Sequence, residues 1–230
     1  GGSGGFSAAI TAAESGANVV IAGHGTIGGT CVNVGCVPSK TMIRAMEAVH
    51  HAKNAERFDG IKGKSEIFNW KALVAQKQSL VDELRKAKYE DVLLSYPNVT
   101  YIDMKEKAHF TGNETEVDID GVLYHPKKIV IAAGSSSALP PINGIQSVPV
   151  LDSTSALELE ELPGSLLVIG GGVIGVELGQ MFARAGVNVT ICCRSRLLPE
   201  AEPEVSQALA DYLRAEGVTV CDVSENRKDN

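Results

Sequence analysis

Two cysteines near the start of the chain, Cys31 and Cys36, carry the clearest chemistry in the sequence. Four residues separate them, so they can close a small disulfide ring, and such a pair stores two electrons. Gly35 supplies backbone freedom for the closure. Pro38 fits the first turn of a following helix, and a helix start beside Lys40 favours a thiolate at Cys36. The spacing therefore predicts a reactive, redox-active cysteine pair.

Two plainer uses of these cysteines stay open, a structural disulfide or half of a zinc site. Zinc needs two further ligands at metal-binding spacing, and the neighbouring sequence offers none. The redox interpretation is therefore preferred.

Composition favours a globular protein with two domains. The chain has 230 residues and 44% hydrophobic content, enough for a sizeable core. A net charge of −7 gives no basic surface for nucleic acid, and no apolar run is long enough for a bilayer. No targeting segment is recognisable, and five cysteines without a framework pattern suit a reducing compartment. A cytoplasmic protein without nucleic-acid or membrane partners is predicted.

The chain opens on a glycine-rich turn, formed by residues 1–5, that fits a dinucleotide. A helix at residues 8–16 and a strand at 18–21 are predicted to follow it. Glycines here let the backbone approach a pyrophosphate, whose charge is held by the amides of a helix start. The residues in question are Gly2, Gly4 and Gly5. The acid that holds the ribose about 20 residues later is replaced by Gly23, which predicts weakened binding.

A second glycine-rich turn has the full dinucleotide fingerprint, Gly170, Gly172 and Gly175. We predict a buried strand at 165–169 before it, then a helix at 176–185 and a strand at 188–193. Cys193 stands where an acid would select NAD, and Arg194 follows it. Arginine can hold a 2′-phosphate by bidentate hydrogen bonds, so NADPH is favoured over NADH. The alternative for Arg194 is a solvated cation at a strand end.

The region between the two turns combines one long helix with short strands. Asn69 is predicted to cap a helix over residues 70–94. Short β-like runs separated by turn signals follow at 99–104, 108–110, 116–119 and 128–132. The fold class is therefore α/β.

Residues 28–40 resemble the redox-active segment of the class I flavoprotein pyridine nucleotide-disulfide oxidoreductases, and the resemblance covers nearly the whole chain. It implies two Rossmann-like dinucleotide-binding domains, for FAD and then NAD(P), with a small β-meander insertion. The FAD domain with the redox-active disulfide would span 1–152, and an incomplete NAD(P) domain 153–230. The chain is expected to be incomplete at both ends, with the C-terminal dimerisation domain absent and a homodimer formed only by the full-length protein.

The resemblance also implies roles for individual residues. Cys31 meets the substrate, and Cys36 lies against the flavin as the charge-transfer thiol. Lys40 approaches the reactive edge of the isoalloxazine and pairs with Glu177, which we place on the first turn of the second domain's helix. A glutamate at that place also simply favours a helix start.

Four further residues match flavin contacts of the family. Gly25 and Thr30 correspond to the positions that flank the pyrophosphate of FAD. The backbone at Ala108 would touch the adenine, although ordinary strand packing explains this residue equally well. Gly134 corresponds to a glycine near the flavin.

The implied activity is hydride transfer from NADPH to FAD, reduction of the cysteine pair, and delivery of two thiols to a substrate. The sequence of residues 28–40 most resembles that of family members that reduce Hg(II) to Hg(0). The resemblance implies that Cys31 and Cys36 are transient ligands of this soft cation. The alternatives are an enzyme like dihydrolipoamide dehydrogenase, disfavoured by Cys193, Val32 and Val37, or a non-catalytic fragment. The adjacent Cys192 and Cys193 are assigned to strand packing.

Overall fold

A computed structural model of the chain describes residues 1–113 and 115–222. It has the α/β architecture predicted from the sequence, in two compact units. The first unit contains residues 1–38 and 78–150, and the second contains residues 39–77 and those from 151 onward. These are packing units, so the domain boundary placed after residue 152 stays a prediction.

The helices and strands alternate along the chain. The helices are α1 Ser3–Glu14, α2 Gly29–Asn33, α3 Cys36–Lys53, α4 Trp70–Arg85, α5 Asp91–Leu94, α6 Ser153–Leu157, α7 Val173–Arg184 and α8 Pro203–Ala215. The strands are β1 Val19–Gly23, β2 Val99–Asp103, β3 His109–Phe110, β4 Val117–Ile119, β5 Val122–Tyr124, β6 Ser165–Ile169, β7 Asn188–Cys193 and β8 Thr219–Asp222.

The first unit is built on a parallel pair of strands, β1 and β2, with Ile21 opposite Tyr101. Helix α1 buries Phe6 and Ala9 against Ile21 on one side of this pair. A separate antiparallel meander, β3-β4-β5, confirms the predicted insertion. The short sheet therefore positions the start of α1 at its carboxyl edge.

The second unit is built on the parallel sheet β6-β7-β8. Strand β7 alternates, with Val189, Ile191 and Cys193 buried on one face. Helix α7 covers that face through residues that include the fully buried Phe182. Such alternation is the pattern of a strand with one covered face.

Several predicted elements differ from the structure at their ends. Helix α1 begins at Ser3, not at residue 8, because Phe6 N already donates to Gly2 O at 3.0 Å. Helix α7 likewise begins at Val173, three residues before the predicted start. The predicted helix 70–94 consists of α4, a π-helical turn at Lys86–Glu90 and α5. Its predicted cap is confirmed, since Asn69 Oδ1 accepts from Ala72 N at 2.9 Å.

The strand predicted at residues 128–132 is wrong. This segment has no regular secondary structure, and Val130 and Ile131 are 69% and 76% exposed. Alternation and β-branching favour an extended chain, but a strand also needs a neighbour to complete its hydrogen bonds. Among the described residues no strand pairs with this segment. The sequence from residue 221 onward loses apolar periodicity, which predicts a frayed terminus. Residues 221 and 222 lie in β8, and residues 223–230 lie outside the described residues.

Candidate redox and dinucleotide-binding sites

The cysteine pair lies where two helices of the chain meet. Cys31 is on α2 and Cys36 is the first residue of α3, and both side chains are exposed. Val34 N donates to Thr30 O at 3.0 Å and closes the turn between them. A Cβ at Gly35 would stand 2.9 Å from that same carbonyl oxygen. Gly35 is therefore needed for space, and its predicted role in closing a disulfide ring stays a prediction.

The two thiols are unbridged in this structure and hydrogen-bonded to each other. The hydrogen bond to Cys36 raises the pKa of Cys31, and partial burial and the charge of Cys36 act in the same direction. Cys31 thus holds its proton more firmly than an ordinary thiol. The disulfide between the two residues stays a prediction.

Asn33 and Arg85, which the sequence did not indicate, hold in place the turn at residues 27–36 that carries the two cysteines. We call this segment the redox turn. Asn33 Nδ2 donates to Ile27 O at 2.9 Å and to Gly29 O at 3.0 Å. Arg85 on α4 donates from Nη1 to Asn33 Oδ1 at 3.2 Å. The asparagine two residues after Cys31 could have been recognised from the sequence as a side chain that hydrogen-bonds the backbone of the turn. Arg85 gave none, because it comes 52 residues later in the chain.

The first glycine-rich turn is in backbone contact with the redox turn. Gly28 N donates to Gly1 O at 2.8 Å. A Cβ at Gly29 would stand 2.4 Å from Gly2 Cα, so only glycine allows this approach. Gly2 caps α1 without a side-chain hydrogen bond, so the first amides of the helix remain available for an anion. Gly4 and Gly5, predicted in the turn, lie in the first turn of the helix.

The place of the missing ribose-binding acid is filled by Tyr101. A Cβ at Gly23 would stand 2.5 Å from the Tyr101 hydroxyl oxygen, so no acidic side chain fits at position 23. That hydroxyl is buried and has no hydrogen-bond partner among the described residues. Burial, together with the charge of Asp103, raises the pKa of Tyr101, which keeps the hydroxyl neutral. An orphaned donor at the edge of a dinucleotide turn fits a ribose hydroxyl, so the residues present fit FAD.

The other predicted flavin contacts are only partly brought together. Thr30 is exposed on α2 next to Cys31, and Gly25 has a φ of +79° in the turn after β1. Ala108 lies just before β3, not in a strand, and is exposed. Gly134 has a φ of +74° in the irregular segment whose Ala132 packs beside Gly5, 3.6 Å from a Cβ built there. The roles of all four residues stay predictions.

The second glycine-rich turn has the geometry of a dinucleotide fingerprint. Gly170 has a φ of +116°, and Gly172 caps α7 without a side-chain hydrogen bond. A Cβ at Gly175 would stand 2.5 Å from Gly170 O, so this glycine lets the helix pack closely on the turn. The free amides at the start of α7 can hold a pyrophosphate.

Two arginines follow β7 and differ in their surroundings. Arg196 donates from Nη2 to Pro199 O at 2.8 Å and to Ala201 O at 2.9 Å, so it holds the following loop. Arg194 is exposed and makes no hydrogen bond or ion pair to another described residue. Its contact with a nucleotide phosphate stays a prediction.

The predicted ion pair between Lys40 and Glu177 is confirmed. Lys40 Nζ lies 2.5 Å from Glu177 Oε2, with 55% and 36% of the two side chains exposed. Glu177 is the fifth residue of α7, and no acidic residue lies in the first turn. Its placement in the first turn was therefore wrong, and a helix-start role does not explain it. The position of the pair at a flavin stays a prediction.

Metal-binding clusters and membrane-spanning helices are absent from the described residues. These residues contain no group of three or more His, Cys, Asp or Glu that could hold a metal ion. No helix in them is long and apolar enough to span a membrane.

An exposed cysteine pair beside one glycine-rich turn, with a second such turn on another sheet, is the arrangement expected of a redox protein with two dinucleotide sites. The sequence profile of the pyridine nucleotide-disulphide oxidoreductases matches residues 1–225, and the chain belongs to that family. Its members use a flavin and a pyridine nucleotide.

Curated relatives are named for one reaction. The chain is 43% identical over 227 residues to the mercuric reductase of Streptomyces lividans, covering 95% of this chain and 46% of that protein. It is 44% identical to the mercuric reductase of Bacillus cereus, covering 95% of this chain and 34% of the relative. The chain thus spans half or less of the length of these relatives.

Solved structures agree on the fold. The chain is similar to the HOCl-induced flavoprotein disulfide reductase RclA from Escherichia coli, with a TM-score of 0.80 and 33% identity. That match covers 96% of this chain and 47% of the solved chain.

Proposed function

We propose that the full-length protein reduces Hg(II) to Hg(0) with NADPH, through FAD and the pair Cys31 and Cys36, and so serves mercury detoxification. The observation that carries the proposal is the exposed, hydrogen-bonded thiol pair on α2 and α3, in backbone contact with a dinucleotide turn. The mercuric reductases to which the chain is about 40% identical support the choice of substrate. A homodimer and a cytoplasmic location belong to the same proposal.

FAD would be held by the start of α1, the turn at Gly28 and Gly29, and the Tyr101 hydroxyl. When bound it supplies the relay that passes two electrons from a hydride donor to the cysteine pair. The amides of α1 hold its pyrophosphate, and the absence of side chains at Gly2 and Gly29 lets the backbone come close.

The cysteine pair performs the substrate chemistry. Two thiols lose two protons and bind Hg(II) linearly through both sulfurs, since soft thiolates match a soft cation. Because its pKa is raised, Cys31 holds its proton more firmly than an ordinary thiol does. Metal binding must therefore displace this proton. NADPH is oxidised to NADP⁺ and one proton, and the two electrons that it loses reduce Hg(II) to Hg(0).

The ion pair of Lys40 and Glu177 places an oriented charge on α3. Lys40 follows Cys36 by four residues, one turn along α3, so its ammonium lies on the same face of that helix. Glu177 holds the ammonium in one direction. Arg194, exposed and without a described partner, is proposed to bind the 2′-phosphate of NADPH.

The proposal is tested with a chimera that joins this chain to the remaining C-terminal part of a mercuric reductase. NADPH oxidation is followed with Hg(II), lipoamide or glutathione disulfide in turn, and we expect Hg(II) to be reduced best. Cys31→Ser should abolish Hg(II) reduction while NADPH still reduces the flavin, because Cys36 and the nucleotide turn remain.

The matched control is the same graft taken from a dihydrolipoamide dehydrogenase, since the grafted part itself biases the substrate. If that chimera reduces lipoamide well while the first ignores Hg(II), the mercury assignment is wrong.

A second candidate is a flavoprotein disulfide reductase without mercury activity. The observation that favours it is the structural likeness to a flavoprotein disulfide reductase of Escherichia coli, at 33% identity and a TM-score of 0.80. Reduction of glutathione disulfide or lipoamide by both chimeras, with no Hg(II) reduction, would select it.

A further inference from the structure

A second pair of thiols lies across two neighbouring strands of the nucleotide-binding sheet. In the parallel pairing of β7 and β8, Cys192 is directly opposite Cys221. Successive side chains of a strand point to opposite faces, whereas opposed residues of two strands share a face. Cys192 therefore shares a face with Cys221, and its sequence neighbour Cys193 lies on the other face, in the core.

The shared face is open enough for a small cation to reach the two sulfurs. Cys192 and Cys221 are both partly exposed. On the adjoining strand Ile169 is paired with Cys192 and is 54% exposed, and Leu167 on the same face is 59% exposed. The two thiols are hydrogen-bonded to each other. They thus form a close dithiol beside exposed apolar side chains.

The distance between paired strands suits linear coordination. Neighbouring strands lie about 4.7–4.9 Å apart. A cation held between two thiolates spans two metal–sulfur bonds, roughly 4.6 Å if each is about the 2.3 Å of a zinc–thiolate bond. The paired strands therefore bring the two side chains close enough that a change of their side-chain torsion angles can place both sulfurs on one cation.

We propose that Cys192 and Cys221 form a second binding site for a soft, two-coordinate cation of the Hg(II) class, separate from Cys31 and Cys36. Binding replaces two S–H bonds by two sulfur–metal bonds and releases two protons, with no electron transfer. The site lies at the carboxyl end of the sheet, where Cys192 O accepts from Gly170 N of the dinucleotide turn at 2.8 Å. It does not depend on the proposed reductase activity.

The test uses this chain with Cys31→Ser and Cys36→Ser, so that the redox pair cannot bind the probe. One equivalent of mercuric chloride is added with an excess of 2-mercaptoethanol, and retained metal is measured after gel filtration. We expect one Hg(II) per chain and a thiolate-to-metal absorption band, with the two protons of the protein thiols passing to the two mercaptoethanol thiolates that are displaced. A preorganised dithiol holds metal against monothiols through effective concentration, so Cys192→Ser or Cys221→Ser should weaken retention about a hundredfold or more.

Cys193→Ser is the matched control, because this side chain lies on the opposite face and a hydroxyl keeps a donor for the hydrogen bond that Cys193 Sγ makes to Cys221 O at 3.5 Å. It should retain the metal as well as the parent chain. Equal loss in Cys193→Ser, or full retention in Cys192→Ser or Cys221→Ser, would overturn the site. A second measurement needs no variant at these positions: Hg(II) should protect Cys192 and Cys221 from iodoacetamide in the folded chain, and alkylation of both at the metal-free rate would also overturn it.

Discussion

Tyr101 and Gly23 together replace the acidic side chain that usually holds a ribose in a dinucleotide site. The Tyr101 hydroxyl is buried without a described partner, and it stands where the Cβ of an acid would be. A buried hydroxyl without a hydrogen bond destabilises a fold, so a ligand that completes the bond recovers that cost. A neutral hydroxyl also binds a ribose more weakly than a carboxylate does.

We predict that Tyr101→Phe separates stability from flavin binding. The isolated chain should melt at the same temperature or higher, because the variant removes an unpaired polar group. In the chimera, FAD affinity should fall by roughly 0.5–1.5 kcal/mol, the value of one neutral hydrogen bond. Thermal denaturation and flavin titration measure the two effects.

The control for Tyr101 is the reciprocal exchange. Gly23→Glu alone should destabilise the chain because of the clash with the hydroxyl, and Gly23→Glu with Tyr101→Thr should restore both folding and FAD affinity. A Tyr101→Phe variant that melts lower but binds FAD normally would show that the hydroxyl serves the fold alone.

Arg194 and Arg196 give a second prediction at the scale of residues. Arg194→Gln in the chimera should raise the KM for NADPH roughly tenfold or more, the cost of about 1.5–3 kcal/mol for a charge-assisted hydrogen bond, with little effect on NADH. Arg196→Gln should instead lower the melting temperature, since it loses two carbonyl acceptors. Steady-state kinetics with both nucleotides measure the difference. Equal changes in both KM values for Arg194→Gln would show that this residue does not contact the 2′-phosphate.

At the scale of elements, a carboxylate joins three helices of the second unit. Glu216 at the end of α8 accepts from Arg184 Nε and Nη2, both at 2.7 Å, and from Gln180 at 2.9 Å on α7. His50 on α3 lies 3.7 Å from the same carboxylate. The hydrogen bonds from Arg184 lower the pKa of Glu216, and burial, followed by the charge of Arg184, lowers the pKa of His50.

This cluster predicts a pH-dependent loss of stability. A carboxylate with a lowered pKa stabilises the fold fully above its unfolded value of 4.5, and the contribution is lost as the pH falls through its lower folded pKa. Glu216→Gln should therefore cost roughly 1.5–3 kcal/mol near neutral pH, and the difference from the parent should shrink below that value. Urea unfolding at several pH values measures it.

Protonation of His50 also lowers the stability of the fold as the pH falls, and it begins at a higher pH than protonation of Glu216. Its lowered pKa means that the folded state resists the charge, so stability falls as the pH drops below 6.5. The variant His50→Gln should remove only the fall in stability that begins near pH 6.5, and it should keep the fall that Glu216 causes at lower pH. An unchanged pH profile in Glu216→Gln would contradict the role of the carboxylate.

The elements that the sequence predicted well are those with a local signal. The strands at β6 and β7 and the cap at Asn69 follow from apolar runs and side-chain chemistry within a few residues. Residues 128–132 carry an equally good strand signal, but a strand is completed only by a neighbour elsewhere in the chain. Local patterns contain no information about that neighbour.

The same limit applies to the candidate site. The cysteine pair and both glycine-rich turns were recognisable because their function requires fixed spacing. Tyr101, Arg85 and the opposition of Cys192 to Cys221 depend on contacts between distant segments, and the register of a parallel sheet is set by packing of the whole face. A missing acid at position 23 was visible, whereas its replacement from β2 was not.

At the scale of the whole molecule, the two dinucleotide turns lie in different compact units, with Gly2 in the first and Gly172 in the second. A ligand that binds only the folded form stabilises the part it contacts, by about 2.7 kcal/mol at a hundred times its Kd. Local opening free energies differ across a protein, and hydrogen exchange resolves them segment by segment. Ligand binding can therefore be assigned to one unit without any enzymatic turnover.

We predict that NADP⁺ slows amide exchange in the second unit of this chain, at β6, α7 and β7, and leaves β1 and β2 unchanged. The oxidised nucleotide carries no hydride, so the measurement reports binding alone. Arg194→Gln should lose most of the protection at the same concentration, and Arg196→Gln should keep it if folded. Slower exchange to an equal extent in both units would show that they open as one, and no change in β6 or α7 would show that this chain does not bind the nucleotide at its second turn.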